Sequence, residues 1–300
     1  MNQRVFVAGD ATWNTLIYLS SLPEPRSQTI FSRDHQETVG GTGAGKALNL
    51  AKLGVDSTFH CLLGDDQEGR RVRAFLDAEG VKVIEDLDPK GTERHVNLMA
   101  DDGGRISIYV AYVTFEPDLP ISALTPRIAG ADQVVLNIIN YCRRLIPVAK
   151  QAARPVWTDL HDYNGVDTYH QDFVDGADFL FLSGDRLPDY RAFMARMIEA
   201  KKRLVVCTHG RRGATTLTAQ GEWIETPILD AYPRVDTNGA GDAFFAGYLY
   251  GHLHGHSVER CLRIATIVSG LCISSKNLAF TALSPERLVA EYRLHYGEGL

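Results

Sequence analysis

Short, largely apolar runs alternate along the chain with longer stretches in which apolar residues recur every three or four positions. Val5–Ala8 reads as a buried strand closed by Gly9-Asp10, and Phe59–Leu63, Gln133–Asn137, Val156–Asp159, Phe179–Leu182 and Leu204–Thr208 have the same form. Between and after them, the spacing predicts helices over Lys46–Leu53 (stopping at Gly54), Gln67–Glu79, Tyr141–Ala152, Asp189–Ala200, Ala240–Leu253 and Val258–Ser274. Repeated strand–helix units of this kind predict an α/β three-layer sandwich, a mainly parallel central sheet with helices on both faces.

Two stretches break the alternation. Val81–Ile84, His95–Ala100 and Ile106–Tyr112 are strand-like in quick succession, with Asp101-Asp102-Gly103-Gly104 as a hairpin turn between the last two. Residues 22–36, with Pro23 and Pro25, read as a loop or exposed hairpin, Gly40–Gly45 as a glycine-rich turn, and 214–226 as a hairpin. No linker, repeat or low-complexity tract divides the chain. The expectation is therefore one domain over residues 1–300 carrying a small β appendage.

Composition narrows the function classes. The 300 residues are 45% hydrophobic and 23% charged, the balance of a soluble globular protein. Net charge is −6 with no run of like charges, which argues against a nucleic-acid partner. Cys61, Cys142, Cys207, Cys261 and Cys272 are scattered and odd in number, which argues against a disulfide framework or zinc knuckle and fits a reducing, cytoplasmic location. The N-terminus reads as a first strand rather than a signal peptide, and no apolar run approaches the roughly 18 residues of a membrane span.

The chemistry concentrates in Val235–Gly247, VDTNGAGDAFFAG. A helix beginning near Gly239–Gly241 has backbone N–H groups without helical partners, and its dipole is positive at that end. Small residues let a phosphate approach these amides, so Gly239, Ala240 and Gly241 can form an anion hole. Asp242, in the first turn beside it, could accept a proton from a hydroxyl while the amides hold the phosphoryl group being attacked. Taken alone, an Asp here is also what the helix dipole favours.

The surrounding pattern decides between these readings. Asp-Thr-x-Gly-Ala-Gly-Asp-x-Phe-x-x-Gly closely resembles the C-terminal signature of the ribokinase-like (PfkB) carbohydrate kinases. Gly40-Gly41 before a helix ending Ala51-Lys52-Leu53-Gly54 resembles their N-terminal glycine signature. Gly64-Asp65-Asp66-x-x-Gly69 resembles a G-x-D-x-x-G segment, and Val205–Thr208 with Gly210 and Gly213 a T-x-G-x-x-G nucleotide loop. The resemblance implies a ribokinase-like sheet with a β-lid, here expected from about residues 12–38 and 81–113. It also implies ATP-dependent phosphorylation of a hydroxyl on a small sugar or sugar-like substrate, a nucleoside included. Asp242 would be the base, Gly239, Ala240 and Gly241 the anion hole, and Asn14, Gly40, Gly41 and Gly45 the sugar contacts. Thr208, Gly210, Gly213 and Ser183 would line the nucleotide. Mg2+ would be bound mainly through ATP phosphates, Asp236 is a candidate for K+, and the lid is a candidate homodimer surface.

Some positions depart from the family pattern. Asn14 stands where many members have Asp, Gly45 where an Asn usually follows the double glycine, and Ser183-Gly184-Asp185-Arg186 where Asn-x-x-Glu is common. Lys276-Asn277-Leu278-Ala279 lacks the usual Gly-Ala pair. These departures motivate an alternative, a non-catalytic sugar or nucleotide sensor on the same fold. Gly40-x-x-x-x-Gly45-Lys46 also resembles a phosphate-binding P-loop, but Ala47 removes the magnesium-binding hydroxyl and no buried strand precedes it. His252, His254 and His256 read as a helix end rather than a metal site, and His161 and Asp162 as a loop at the sheet edge. Trp13 and Tyr18 suit ligand stacking or packing equally.

Overall fold

The computed structural model describes residues 3–300. Its core is a nine-stranded sheet, built from Arg4–Ala8 (β1), Asp56–Leu63 (β4), Lys82–Leu87 (β5), Gln133–Leu136 (β8), Val156–Asp159 (β9), Phe179–Ser183 (β10), Leu204–Thr208 (β11), Ala214–Thr218 (β12) and Trp223–Thr226 (β13). The strand order is β13-β12-β11-β10-β9-β8-β1-β4-β5. All pairs are parallel except β11–β12 and β12–β13. The central strands β8 and β9 are buried at every position, so their apolar residues stand side by side instead of alternating with exposed polar ones, and their polar residues, Gln133, Thr158 and Asp159, are buried as well.

Helices cover both faces. Thr42–Lys52 (α1), Gln67–Ala78 (α2), Ala240–Leu253 (α7) and Val258–Ile273 (α8) pack on one side; Ile121–Gly130 (α3), Ile146–Gln151 (α4), Gln171–Gly176 (α5) and Tyr190–Glu199 (α6) pack on the other. Strand β1 shows the two-residue period directly: Val5 and Val7 join Leu50, Leu76 and Phe245, whereas Phe6 and Ala8 join Ile128, Phe173 and Met194. A last helix, Pro285–Tyr296 (α9), is capped by Ser284 and packs outside α8.

A separate four-stranded sheet, β3-β2-β6-β7, is made by Thr12–Leu19 (β2), Asp34–Gly40 (β3), Arg94–Ala100 (β6) and Arg105–Ala111 (β7). Its register aligns Asn14, His95 and Tyr109 in one row, Leu16, Asn97 and Ser107 in the next, and Tyr18, Met99 and Arg105 in a third. Tyr18 and Arg105 from this face reach Asp236 and Asn238, so it is turned toward the start of α7.

Three local expectations need correction. The segment beginning at Val81 does not belong to the second sheet. After α2 it returns as β5, parallel to β4, and so completes an ordinary strand–helix–strand crossover. The loop that begins after Leu19 gives way at Asp34 to β3, whose polar residues are tolerated because it is a sheet edge. Gly40–Gly45 is not a turn throughout: only Gly41, at φ 96°, breaks the chain direction, and helix α1 already starts at Thr42.

Candidate active site

The order of the large sheet places β1 between β8 and β4, so the chain winds outward in two directions from there. Ligand crevices in such sheets form beyond the carboxyl ends of the strands at this switch. Asp10 follows β1 and fixes the start of α1, accepting hydrogen bonds from the Thr42 and Gly43 amides at 3.0 and 3.1 Å and from the Thr42 hydroxyl at 3.0 Å. That cap docks α1 beside the amino end of α7.

The end of α7 has no side-chain cap. Its N-cap, Gly239, adopts φ 77°, and a Cβ there would lie 2.9 Å from the Leu278 carbonyl, so both conformation and space require glycine. The Ala240 amide is engaged by Thr237 O at 3.3 Å, and the Ala243 amide by Gly239 O at 2.9 Å. Among the described residues the Gly239, Gly241 and Asp242 amides have no protein acceptor, and no heavy atom lies within 4 Å of where a Gly241 Cβ would be. The open donors are therefore those of 239, 241 and 242, and Ala240 is the one member of the expected trio whose amide is already used.

Asp242 is buried behind these amides. Its Oδ1 accepts from Lys46 Nζ at 2.6 Å, and the same ammonium lies 3.2 Å from Asp159 Oδ2 at the end of β9. Lys46 has no exposed surface and sits 5.2 Å from the centre of the Phe245 ring. Burial pushes the Asp242 carboxyl above the ordinary carboxylate range, against the opposing pull of Lys46 and His161. Burial would raise Asp159 as well, but His161 and Lys46 together hold it down at about 2. Gly45 borders the other carboxylate oxygen: a Cβ there would stand 2.8 Å from Asp242 Oδ2.

Under the second sheet, Asn14 lies against Gly40, with its Oδ1 accepting from the Thr12 hydroxyl at 2.6 Å. His95 lies against Tyr109, ring centres 3.9 Å apart and planes tilted by 46°, and pairs with buried Glu93 at 2.7 Å. Burial raises the Glu93 carboxyl. On the other side of Asp159, Ser183 and Thr208 are register partners at the ends of β10 and β11, followed by Gly210 and Gly213 in a tight turn. The thirteen residues expected from the sequence lie at the carboxyl edge of the large sheet, at the start of α1, on the first turn of α7 or in the loop before it, or under the small sheet. Asp236 holds the loop before α7, accepting from Tyr18 Oη at 2.9 Å and from the Asn238 amide at 2.7 Å.

Comparison with known proteins fits this geometry. The pfkB family of carbohydrate kinases matches residues 2–115 and 160–285. The chain belongs to that family. This pfkB kinase is 34% identical to the acarbose 7(IV)-phosphotransferase of an Actinoplanes species, over 88% of this chain and 89% of the relative. It is 30% identical to an ATP-dependent ribose-1-phosphate kinase of Halopiger xanaduensis, over 89% and 91% of the two chains. Among solved structures, a microbiome-derived acarbose kinase, Mak1, superposes with a TM-score of 0.85 at 29% identity, covering 96% of this chain and 98% of the other. Arabidopsis thaliana ribokinase, solved with ribose and ATP, gives 0.80 at 25% identity, covering 97% and 98%. The small sheet of this carbohydrate kinase is the lid of the ribokinase fold. A sensor without catalysis is set aside by this membership.

Lys46 is the residue of the pfkB site that sequence reasoning missed. Its place in the P-loop-like glycine pattern suggests a lysine facing a phosphate; instead it is sealed between two carboxylates. The available signal was its surroundings: every residue from Gly43 to Leu50 is buried, so a lysine among them had to meet a buried anion. In the histidine run, His252 packs on Trp157 and Phe179, and among the described residues no three His, Cys, Asp or Glu gather as metal ligands. No helix among the described residues is long and apolar enough to cross a membrane.

Proposed function

We propose that this carbohydrate kinase transfers the terminal phosphoryl group of ATP to a hydroxyl of a sugar-like substrate held between the lid and the carboxyl edge of the large sheet, with Asp242 as the base. The observation that carries the reading is the pairing of a buried carboxylate with uncapped amides on one helical turn. The amides and the positive end of α7 attract the charge of the phosphoryl group in transfer. Asp242 Oδ2 takes the proton of the attacking hydroxyl, the new O–P bond forms, and the bond to the ADP oxygen breaks.

Asn14, His95, Asn97 and Tyr109 offer the polar lid surface against which substrate hydroxyls are read, and Gly40 and Gly41 the backbone floor beside it. Ser183, Thr208, Gly210 and Gly213 line the nucleotide side. With no cluster of three carboxylate, imidazole or thiolate ligands among the described residues, the chain suits a magnesium ion carried largely by the ATP phosphates, where it neutralises their charge. Asp236 serves the site by holding its loop through Tyr18, and both its oxygens are used in doing so.

The test is Asp242→Asn, assayed by ADP release over a panel that includes acarbose, ribose, ribose 1-phosphate and nucleosides. Turnover is expected to fall by about three orders of magnitude or more, with substrate affinity little changed. A variant that retains wild-type kcat refutes the assignment. The outer face of lid strand β7, with Ile106, Ile108 and Val110 exposed at a free sheet edge, is proposed to be covered by a second copy of the chain. Light scattering that returned a monomer at micromolar concentration would remove that part of the reading.

A further inference from the structure

A lysine with no exposed surface, shared between two carboxylates, is costly to bury and does nothing that an apolar side chain could not do for packing. Its geometry is asymmetric. The contact to Asp242 is at 2.6 Å and the contact to Asp159 at 3.2 Å, and it is Oδ1 of Asp242 that is held. Oδ2 is the oxygen beside Gly45, where the absence of a Cβ leaves the helix backbone able to lie against it.

We propose that Lys46 is a positioning residue for phosphoryl transfer: it clamps Asp242 through Oδ1, leaves Oδ2 for the substrate proton, and shares its charge with Asp159 so that Asp242 remains an effective base. The inference rests on the reading of Asp242 given above. An ammonium paired with Asp242 alone would make it a weak base; an ammonium that must also neutralise Asp159 gives up part of that hold. With both acids ionised the trio carries one net negative charge, and taking the hydroxyl proton brings it to neutrality, a change that a buried site favours.

The groups that face Asp242 or this lysine are few. From α1 comes Lys46 itself, from β9 Asp159, and from the turn after it His161, whose Nδ1 lies 3.7 Å from Asp159 Oδ2. Asp10 faces Lys46 from the end of β1. Cys272 of α8 is the remaining neighbour, and burial, with Asp242 and Asp236, pushes its thiol up to about 12, so it stays neutral. The two substitutions that remove one charge from this set therefore act in opposite directions. Asp159→Asn leaves the ammonium to Asp242 alone, and Lys46→Met leaves two carboxylates facing each other.

The experiment is the single-turnover rate of phosphoryl transfer against pH, with ATP and the best substrate of the panel saturating. For Asp159→Asn the acidic limb is expected to move down by about one pH unit and the plateau rate to fall several-fold, since a weaker base removes the proton less well. For Lys46→Met the limb is expected to move up by a similar amount. Asp159→Asn keeps one ammonium opposite one carboxylate, so it is the arm required to fold. If it fails to fold, or if its limb stays in place or moves up, the inference is overturned whatever Lys46→Met does. If both variants lose rate with unmoved limbs, Lys46 only supports the fold. Asp242→Asn run alongside separates the two levels: turnover surviving in it sinks the base assignment itself, whereas loss of turnover with unmoved limbs sinks only the role of Lys46.

Discussion

Gly45→Ala measures how closely the first helix is docked against Asp242, the proposed base. The added methyl would lie 2.8 Å from Asp242 Oδ2 and 3.1 Å from Asp242 Cβ and Cγ. Such atoms rest about 3.5 Å apart, so the carboxylate must retreat by roughly half an ångström or α1 must tilt away. Retreat is restricted, because Oδ1 is tied to Lys46 at 2.6 Å and Lys46 is itself enclosed. Overpacking of this kind costs about 1–3 kcal/mol, equivalent to a fall in Tm of roughly 2–5 °C for a chain of this size. A misplacement of about 1 Å at a reacting group costs about 100-fold in rate, so half of that predicts about a 10-fold loss of kcat. Gly45→Asn, which restores the side chain commonly found here in the family, is expected to do worse on both counts, because the space it needs is filled by Asp242. Steady-state ADP release and a thermal melt on the same preparations read the two effects. A well-folded Gly45→Ala enzyme with wild-type kcat would show that α1 and the base are not in mechanical contact, and a Gly45→Asn enzyme with improved sugar affinity would show that the side chain has somewhere else to go.

Three further outcomes follow from the same contacts. Tyr18→Phe removes the hydroxyl donor from buried Asp236, which should cost about 1–2 kcal/mol and loosen the loop before the anion hole; a melt and the KM for ATP check this, and no change in either would mean the contact is idle. Asp159 is held at about 2 in the fold, against about 3.9 in an unfolded chain, so its contribution is complete above about pH 4 and is lost as pH falls toward 2. That amounts to about 2–3 kcal/mol, and urea midpoints between pH 6 and 3 should fall less steeply in Asp159→Asn than in the parent. Asp242 has the opposite sign: its carboxyl is raised in the fold, so ionising it weakens the fold as pH rises through and above about 4. Asp242→Asn is therefore expected to melt at or above the parent temperature at pH 7 while losing turnover, and a marked fall in Tm would show that the carboxylate is held for structure.

What could be read from the residues follows how locally each feature is specified. The buried strands β8–β11 declare themselves because both of their faces are covered, and α7 because glycine, alanine and aspartate at its start have a chemical meaning in a fixed order. The lid was harder. Thr12–Leu19 alternates buried and half-buried positions, but its partners are β3 on one side and, in parallel, β6 on the other, some eighty residues away, and only that pairing makes it a strand. Helix α3 carries Pro126 inside it, which interrupts the helical pattern, and α5 is only six residues long, too few for a period to show. Helix α9 did carry a readable start, Ser284 followed by Pro285.

The centre of the site shows why local motifs lead to the right helix and yet omit a working part. Gly239–Asp242 can be interpreted from one turn of backbone, because amides, dipole and carboxylate are all within four residues. Lys46 acquires its meaning only when α1 and α7 are brought side by side, 196 residues apart in sequence, with the end of β9 beneath them. The same glycine pattern that suggested a phosphate loop around Lys46 has a different physical cause: it lets α1 approach Asp10 and Asp242 with no side chain between. The lysine is thus turned inward to Asp242 instead of outward to a phosphate, and it is the opposite helix whose first amides are left free for the anion that the proposed reaction requires.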